Sequence, residues 1–268
     1  IIQDGKPHPD RIIRSPINFE GNPQYDTFPA THKMDVAAND GDSVTALEGF
    51  GDRLLIFKTK SVYVINVAQD GTEFVEKKFS DLGVKSSSQV TSTEFGIVWI
   101  NNKGCYLYNE GQSINLIDSA FFSSKARGIT PSMMWNINEA KFPAVNYMPR
   151  DKKLIVSMGL AGSYTNDALI YDFLKKSWSF GGGVCGDWTK RRSNFIVNSD
   201  GIVLMAQLSA SDFPSSTLNI MQWNDSPQAN NEFSLLKNST KIDYTGGSDD
   251  KLSSVNGEDD DHIQHVSV

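Results

Sequence analysis

The chain has 268 residues, a mass of 29.6 kDa and a net charge of −7 from 25 basic and 32 acidic side chains. This acidity argues against a dedicated nucleic-acid binder, whose affinity comes from basic residues that displace counterions from phosphates. No apolar run approaches the roughly 18 residues of a membrane helix, and the first residues lack the pattern of a secretory signal.

The first half of the chain predicts strands joined by tight turns. Residues 10–15 predict one short strand, and the start before them lacks Met, which suggests a processed product or a fragment of a longer polypeptide. Residues 54–57 and 61–67 are rich in β-branched and aromatic side chains and flank a charged turn, which indicates a β-hairpin. Residues 96–100 and 105–108 predict a second hairpin.

The second half repeats this pattern. Residues 154–158 and 168–172 predict a third hairpin, and residues 178–180 predict a further strand beside it. A fourth hairpin is predicted at residues 195–206, and residues 218–223 extend that group. Short helices are expected only at residues 118–125 and 131–139, so the chain is predicted to be all-β.

The hairpins recur at a regular interval. Their leading strands begin near Arg53, Gly96, Lys153 and Gly201, at spacings of 43, 57 and 48 residues. Intervals near this length, with several short strands in each, are typical of β-propeller blades. We therefore expect a β-propeller of four or more blades, with residues 10–15 from a fifth, which is either a whole small ring or part of a larger one.

The domain organisation follows from the same composition. Residues 1–240 are predicted to form the propeller domain, complete or incomplete, and residues 241–268 a polar acidic tail. This tail lacks the apolar side chains needed to form a packed core, so it is expected to be disordered or to order on a partner. The competing fold, a β-sandwich, would not group its strands at such an interval.

Chemical motifs are weak throughout the chain. Cys105 and Cys185 are interpreted as reduced thiols, with one distant bridge left open. His262 and His265 have metal-like spacing but lie in the predicted tail without a third ligand. The triplet at 181–183 lacks the Lys-Ser/Thr of a phosphate-binding loop. We predict no catalytic residue, no metal and no cofactor, although a spatial pair of carboxylates for glycoside hydrolysis stays open.

Three stretches resemble the β-propeller tail proteins of tailed bacteriophages, most closely the nozzle, hub or stabilisation proteins of short-tailed phages. They are residues 41–47 (GDSVTAL) running into 51–58 (GDRLLIFK) and 61–64 (SVYV), residues 94–100 with 104–108, and residues 239–244 (STKIDY). The first is the most specific phrase. The resemblance covers residues 10 to 120 well and the rest loosely, and the Ser/Asp-rich end departs from the family pattern.

The resemblance implies a virion structural protein without catalytic residues. Such proteins form a ring, commonly a hexamer, that extends or closes the DNA channel and opens for genome ejection. The implied partners are further copies of the chain, other tail proteins (an adaptor, a fibre or a spike) and, transiently, genomic DNA. The implied location is the phage tail, assembled in the host cytoplasm, with no membrane segment.

Basic residues concentrate at the predicted turns. They are Lys58 and Lys60, then Arg150, Lys152 and Lys153, then Lys175 and Lys176, and finally Lys190, Arg191 and Arg192. Charged hairpin tips are usually solvated. Within this set, Lys58, Lys60, Lys190, Arg191 and Arg192 are the candidates for contacts with a DNA lumen or a neighbouring subunit.

Two alternatives to the tail protein remain at this stage. One is a Kelch-like or sialidase-like propeller that binds or hydrolyses glycans. Residues 171–178 resemble a Kelch hairpin only once and out of register, which we interpret as hairpin packing, and a plain Asp-Gly turn explains residues 199–201 better than an Asp-box does. The other is a generic interaction propeller. The glycan alternative requires acidic or aromatic residues converging at one end of the ring axis. The oligomeric state distinguishes them, because a tail protein forms a ring of several subunits.

Overall fold

The computed structural model describes residues 2–3, 6–16, 26–29, 31–38, 40–67, 73–109, 111–117, 135, 137–139, 142–158, 168–181, 192–208, 217–224, 232–235, 242–243 and 253–254. The chain forms two compact units, Ile1–Ser119 and Ala120–Val268. Every strand pairing among these residues is antiparallel. Among the described residues, no helix reaches the length and apolar content that a membrane crossing needs.

The first unit contains twelve described strands and one 3-10 helix at Ser87–Gln89. The strands are β1 (Ile2–Gln3), β2 (Lys6–Pro7), β3 (Arg11–Ile13), β4 (Lys33–Asp35), β5 (Val44–Phe50), β6 (Arg53–Lys58), β7 (Ser61–Asn66), β8 (Phe74–Ser80), β9 (Val90–Thr93), β10 (Gly96–Asn101), β11 (Gly104–Asn109) and β12 (Gln112–Asn115). They build two four-stranded sheets in chain order, β5 to β8 and β9 to β12, and two small sheets, β1–β2 and β3–β4.

The two middle strands of the first four-stranded sheet are apolar without alternation because both faces of the sheet are covered. One face places Leu55, Phe57 and Val64 in a core with Trp99 of β10. The opposite face packs Ile56, Tyr63 and Ile65 against the β3–β4 sheet. A strand buried on both faces has no reason to alternate apolar with polar residues.

The second unit contains ten described strands. They are β13 (Ala144–Met148), β14 (Lys153–Ser157), β15 (Ala168–Asp172), β16 (Ser177–Gly181), β17 (Arg192–Val197), β18 (Val203–Leu208), β19 (Thr217–Asn224), β20 (Glu232–Leu235), β21 (Ile242–Asp243) and β22 (Ser253–Ser254). Strands β13 to β16 form a third four-stranded sheet in chain order. The remaining six form one sheet in the order β17-β18-β19-β21-β22, with β20 also paired to β19.

One core joins the two sheets of the second unit. Met148 and Ile155 of the third sheet pack with Val203, Met205 and Trp223 of the last one. Blade-like sheets therefore bury their faces against one another inside each unit, which is how short sheets that cannot form a core alone become stable.

The prediction of an all-β chain of propeller blades is confirmed at the level of its sheets, since four-stranded antiparallel meanders follow one another along the sequence. All four predicted hairpins are present. Within the predicted strand at residues 10–15, Arg11–Ile13 forms β3, which pairs with β4 in a two-stranded sheet among the described residues. That this strand belongs to a fifth blade stays a prediction.

Three predictions fall largely outside the described residues. The short helix at 118–125 lies outside them, and of the one at 131–139 only residues 135 and 137–139 are described. The same holds for the tail at 241–268, apart from the paired strands β21 and β22. The boundary at residue 240 stays a prediction.

Candidate functional site

The most specific phrase of the sequence, residues 41–47, 51–58 and 61–64, covers β6 and parts of β5 and β7, and it includes the polar end of the first four-stranded sheet. Asp42 lies in the loop before β5 and is buried. Its carboxylate accepts hydrogen bonds from the hydroxyl of Thr59, the backbone N–H of Lys60 at 3.0 Å and the hydroxyl of Ser61 at 3.1 Å. One acidic side chain therefore fixes the whole β6–β7 turn to the loop that precedes β5.

Lys58 is the last residue of β6, and its side chain is 0% exposed. Its Nζ donates to Oδ1 of Asp10 and to Oδ1 of Asp40, each at 2.9 Å, and to the carbonyl of Ala37 at 3.4 Å. The Nζ also lies 5.6 Å from the centre of the Tyr63 ring. We call Lys58, Asp10 and Asp40 the lysine cluster.

The protonation of the lysine cluster follows from its contacts. Burial would lower the pKa of Lys58, but the hydrogen bonds to Asp40 and Asp10 outweigh it and raise that pKa above its ordinary value. Burial likewise opposes ionisation of Asp40, whereas the hydrogen bond from Lys58 holds the pKa of that carboxyl below its ordinary value. The ammonium therefore stays charged and is not a nucleophile.

The segment that leads to the next sheet is fastened to the same turn. The N–H of Val84 donates to the carbonyl of Lys58 at 3.0 Å, and the hydroxyl of Thr45 donates to the carbonyl of Val84 at 2.9 Å. A Cβ on Gly83 would lie 2.5 Å from the backbone nitrogen of Lys60, so no larger residue fits there. The turn is enclosed by backbone on this side.

The second phrase, residues 94–100 with 104–108, and the turn inside it also form hydrogen bonds with this segment. The indole N–H of Trp99 donates to the carbonyl of Leu82 at 2.8 Å, and the amide of Asn101 donates to the carbonyl of Gly83 at 3.1 Å. Nearby, Cys105 is buried without a disulfide, and burial raises the pKa of its thiol. A neutral, enclosed thiol is unreactive.

The predicted contact residues have four different outcomes. Lys58 is wrong as a surface contact, because two carboxylates distant in sequence draw its ammonium into the fold. Lys60 is exposed, two residues further along the same turn. Lys190 and Arg191 lie outside the described residues, and Arg192 begins β17 in register with Gln207.

Sequence reasoning missed the residues that complete this site. Asp10 was assigned to a strand and Asp40 was not singled out. The only local signal was the phrase containing Asp42. Within the described part of the chain, no group of three or more His, Cys, Asp or Glu side chains could hold a metal ion.

No protein-family model and no curated protein matches the sequence. Among solved structures, a protein from Lactobacillus plantarum is similar at 12% identity and a TM-score of 0.47, over 85% of this chain and 67% of that one. PorZ, a bacterial surface component of the type-IX secretion system of Porphyromonas gingivalis, has 13% identity and a TM-score of 0.43 over 78% of this chain. The chain spans only 29% of PorZ.

A third similar structure is the N-terminal domain of Nup159, with 12% identity and a TM-score of 0.28, over 83% of this chain and 71% of that one. Identities and TM-scores this low assign the chain to no family and carry no functional argument. The fold class therefore rests on the pairing of the strands themselves.

Proposed function

We propose that the chain is a non-enzymatic structural protein of a phage tail. It would form a nozzle or hub ring that extends or closes the DNA channel and opens for genome ejection. The observation that supports this most is how the polar residues of the 41–58 phrase are used. Asp42 and Lys58 direct their hydrogen bonds to the chain itself.

This use of polar residues supports a scaffold over an enzyme. Catalytic side chains need polar atoms that are available to contact a substrate. They typically lie in clefts, and their own pKa values are perturbed there. In the lysine cluster the perturbed groups face one another and hold loops in place. A sequence stretch whose polar side chains hold the fold together fits a family of structural proteins better than a family of enzymes.

The proposed partners follow from the same role. Further copies of the chain would form the ring, with sixfold symmetry as in the resembling family, and an adaptor and a fibre or spike protein would bind its two ends. We propose the phage tail as its location. Because the net charge is −7, we expect a neutral or acidic lumen with scattered basic contacts, which would let DNA pass rather than bind it.

The oligomeric state of the purified full chain tests the proposal. Size-exclusion chromatography with light scattering should give a mass near six times that of the chain, and negative-stain micrographs should show rings with a central channel. A monomer at every protein concentration, in the presence and absence of the other tail proteins, would contradict the ring.

A glycan array separates the tail protein from the glycan-binding alternative. The proposed role predicts no saturable sugar binding. A monomer that binds one class of oligosaccharide saturably would favour the Kelch-like or sialidase-like alternative over the tail protein.

A further inference from the structure

An apolar cleft opens in the first unit, between the β3–β4 sheet and the first four-stranded sheet. Its volume is about 280 Å³. Ile12 and Met34 form the wall on one side, and Leu54 and Ile65 form the wall on the other. Because all of these residues lie in one compact unit, the cleft belongs to the unit itself.

The mouth of the cleft presents large apolar side chains to solvent. Leu47 is 47% exposed, Val67 is 41% exposed and Ile13 is 40% exposed, and all three line the cleft. Single exposed apolar residues are ordinary, but a group of them around a concavity is typical of a binding site. The packing within the unit leaves this group only partly covered.

The charges around the mouth favour an anion. Arg14 and Lys33 line the cleft, and Arg14 forms an ion pair with Glu73, the only acidic residue among the described residues of the lining. The side chain of Arg14 remains 51% exposed. Among the described lining residues, two cations face one carboxylate and leave a positive balance. The guanidinium has five N–H donors, of which one carboxylate uses at most two.

We propose that this cleft binds an acidic, extended peptide segment of a partner protein that inserts one large apolar side chain between the two sheets. A carboxylate of the segment would meet Arg14 and Lys33. Neither β3 nor β4 has a second strand partner among the described residues, so an extended segment has a sheet edge available beside the cleft.

The size of the cleft favours a peptide over a separate small ligand. A volume of about 280 Å³ is enough for one large side chain, and it lies at the lower limit of pockets for drug-sized ligands, about 300 Å³. The inference goes beyond the tail role and does not depend on ring formation.

Titration of the full chain with synthetic peptides tests the inference. The probe is an acetylated pentapeptide with Phe at its centre and two acidic residues on each side, and the control peptides carry Ser at the centre or Lys at the flanks. The Phe peptide should bind saturably by calorimetry, and each control should bind about tenfold more weakly. Failure of the Phe peptide to bind at millimolar concentration would overturn the inference.

Matched variants locate the binding. Leu47→Gln and Arg14→Glu should each weaken the Phe peptide about tenfold. Ile114→Gln and Lys103→Glu change residues of similar exposure in the same unit, outside the lining, and should leave affinity unchanged. If the two control variants weaken the Phe peptide as much as Leu47→Gln and Arg14→Glu do, the peptide does not bind in this cleft.

Two further outcomes separate this inference from its alternatives. Decanoate binding as tightly as the Phe peptide would replace the peptide with a small amphiphile and overturn the assignment. Peptide binding is readable on a monomer and on a ring alike, so a chain that fails to assemble but binds the Phe peptide contradicts only the tail role.

Discussion

Two hairpin turns each contain two lysines, but the lysines differ in how deeply they are buried. The β6–β7 turn contains Lys58 and Lys60, and the β15–β16 turn contains Lys175 and Lys176. Lys58 is completely buried, whereas the side chain of Lys175 is 79% exposed. Both were grouped with the basic hairpin tips because the local sequences are alike.

The two turns differ in where their carboxylates come from. At the β15–β16 turn the acid is local, because Oδ1 of Asp172 accepts the backbone N–H groups of Leu174 and Lys175, each at 2.9 Å. At the β6–β7 turn the acids arrive from distant positions, since Asp10 is 48 residues and Asp40 is 18 residues from Lys58. Burial of a turn lysine thus depends on long-range partners, not on the turn.

The largest contrast should come from removing each lysine. Lys58→Met leaves the carboxylates of Asp10 and Asp40 without their cation, so the free energy of unfolding should fall by about 3–5 kcal/mol. Lys175→Met removes an exposed charge and should change it by less than about 0.5 kcal/mol. Urea unfolding followed by circular dichroism measures both.

A third variant keeps this test decisive if Lys58→Met does not fold. Combining it with Asp10→Asn and Asp40→Asn removes every charge of the lysine cluster, and part of the lost stability should return. Equal destabilisation by Lys58→Met and Lys175→Met would mean that burial of the ammonium contributes nothing.

Replacing the acid of each turn by Asn should also lower the free energy of unfolding by different amounts. Asp42→Asn replaces a carboxylate oxygen with an amide N–H₂ among the donors of Thr59, Lys60 and Ser61, and the expected loss is about 2 kcal/mol. At the other turn, Asp172→Asn keeps an oxygen that can accept both backbone N–H groups. Its cost should stay below about 1 kcal/mol, and the same unfolding measurement compares them.

The contrast between local and distant partners also explains what the sequence could predict. The central hairpins were predictable because strands that are buried on both faces of a sheet have continuous apolar runs, as β6 and β7 do. Strand β8 was missed because it is an exposed sheet edge with the polar sequence FVEKKFS. The lysine cluster was missed because no local pattern joins Asp10 to Lys58.

Acid should weaken the β6–β7 turn through Asp40. Its folded pKa is below the ordinary 3.8, so its contribution is present above that pH and is lost as the pH falls through the folded pKa. Lys58 has a folded pKa above 10.5, so its contribution is lost only as the pH rises beyond that value. The difference between the unfolding free energies of the wild type and Asp40→Asn should therefore stay the same from pH 5 to about 9. It should shrink as the pH falls below about 4.

This measurement isolates one carboxyl from the others that titrate in acid. Asp35, paired with Arg11, also has a lowered pKa, but it is present in both proteins and cancels from the difference. A difference that stayed constant down to pH 2 would show that the ionised form of Asp40 is not what holds Lys58.

The smallest effect should come from within the β6–β7 turn itself. Lys60 is only two residues from Lys58, yet its side chain is exposed and only its backbone N–H is used, by Asp42. Lys60→Ala keeps that N–H, so the free energy of unfolding should change by less than about 0.5 kcal/mol. A loss comparable to that of Lys58→Met would mean that the charge of the whole turn matters. If Lys58→Met lowers the free energy of unfolding and Lys60→Ala does not, the stability comes from the distant carboxylates that bind Lys58. The side chain of Lys60 is then available for contacts outside the chain.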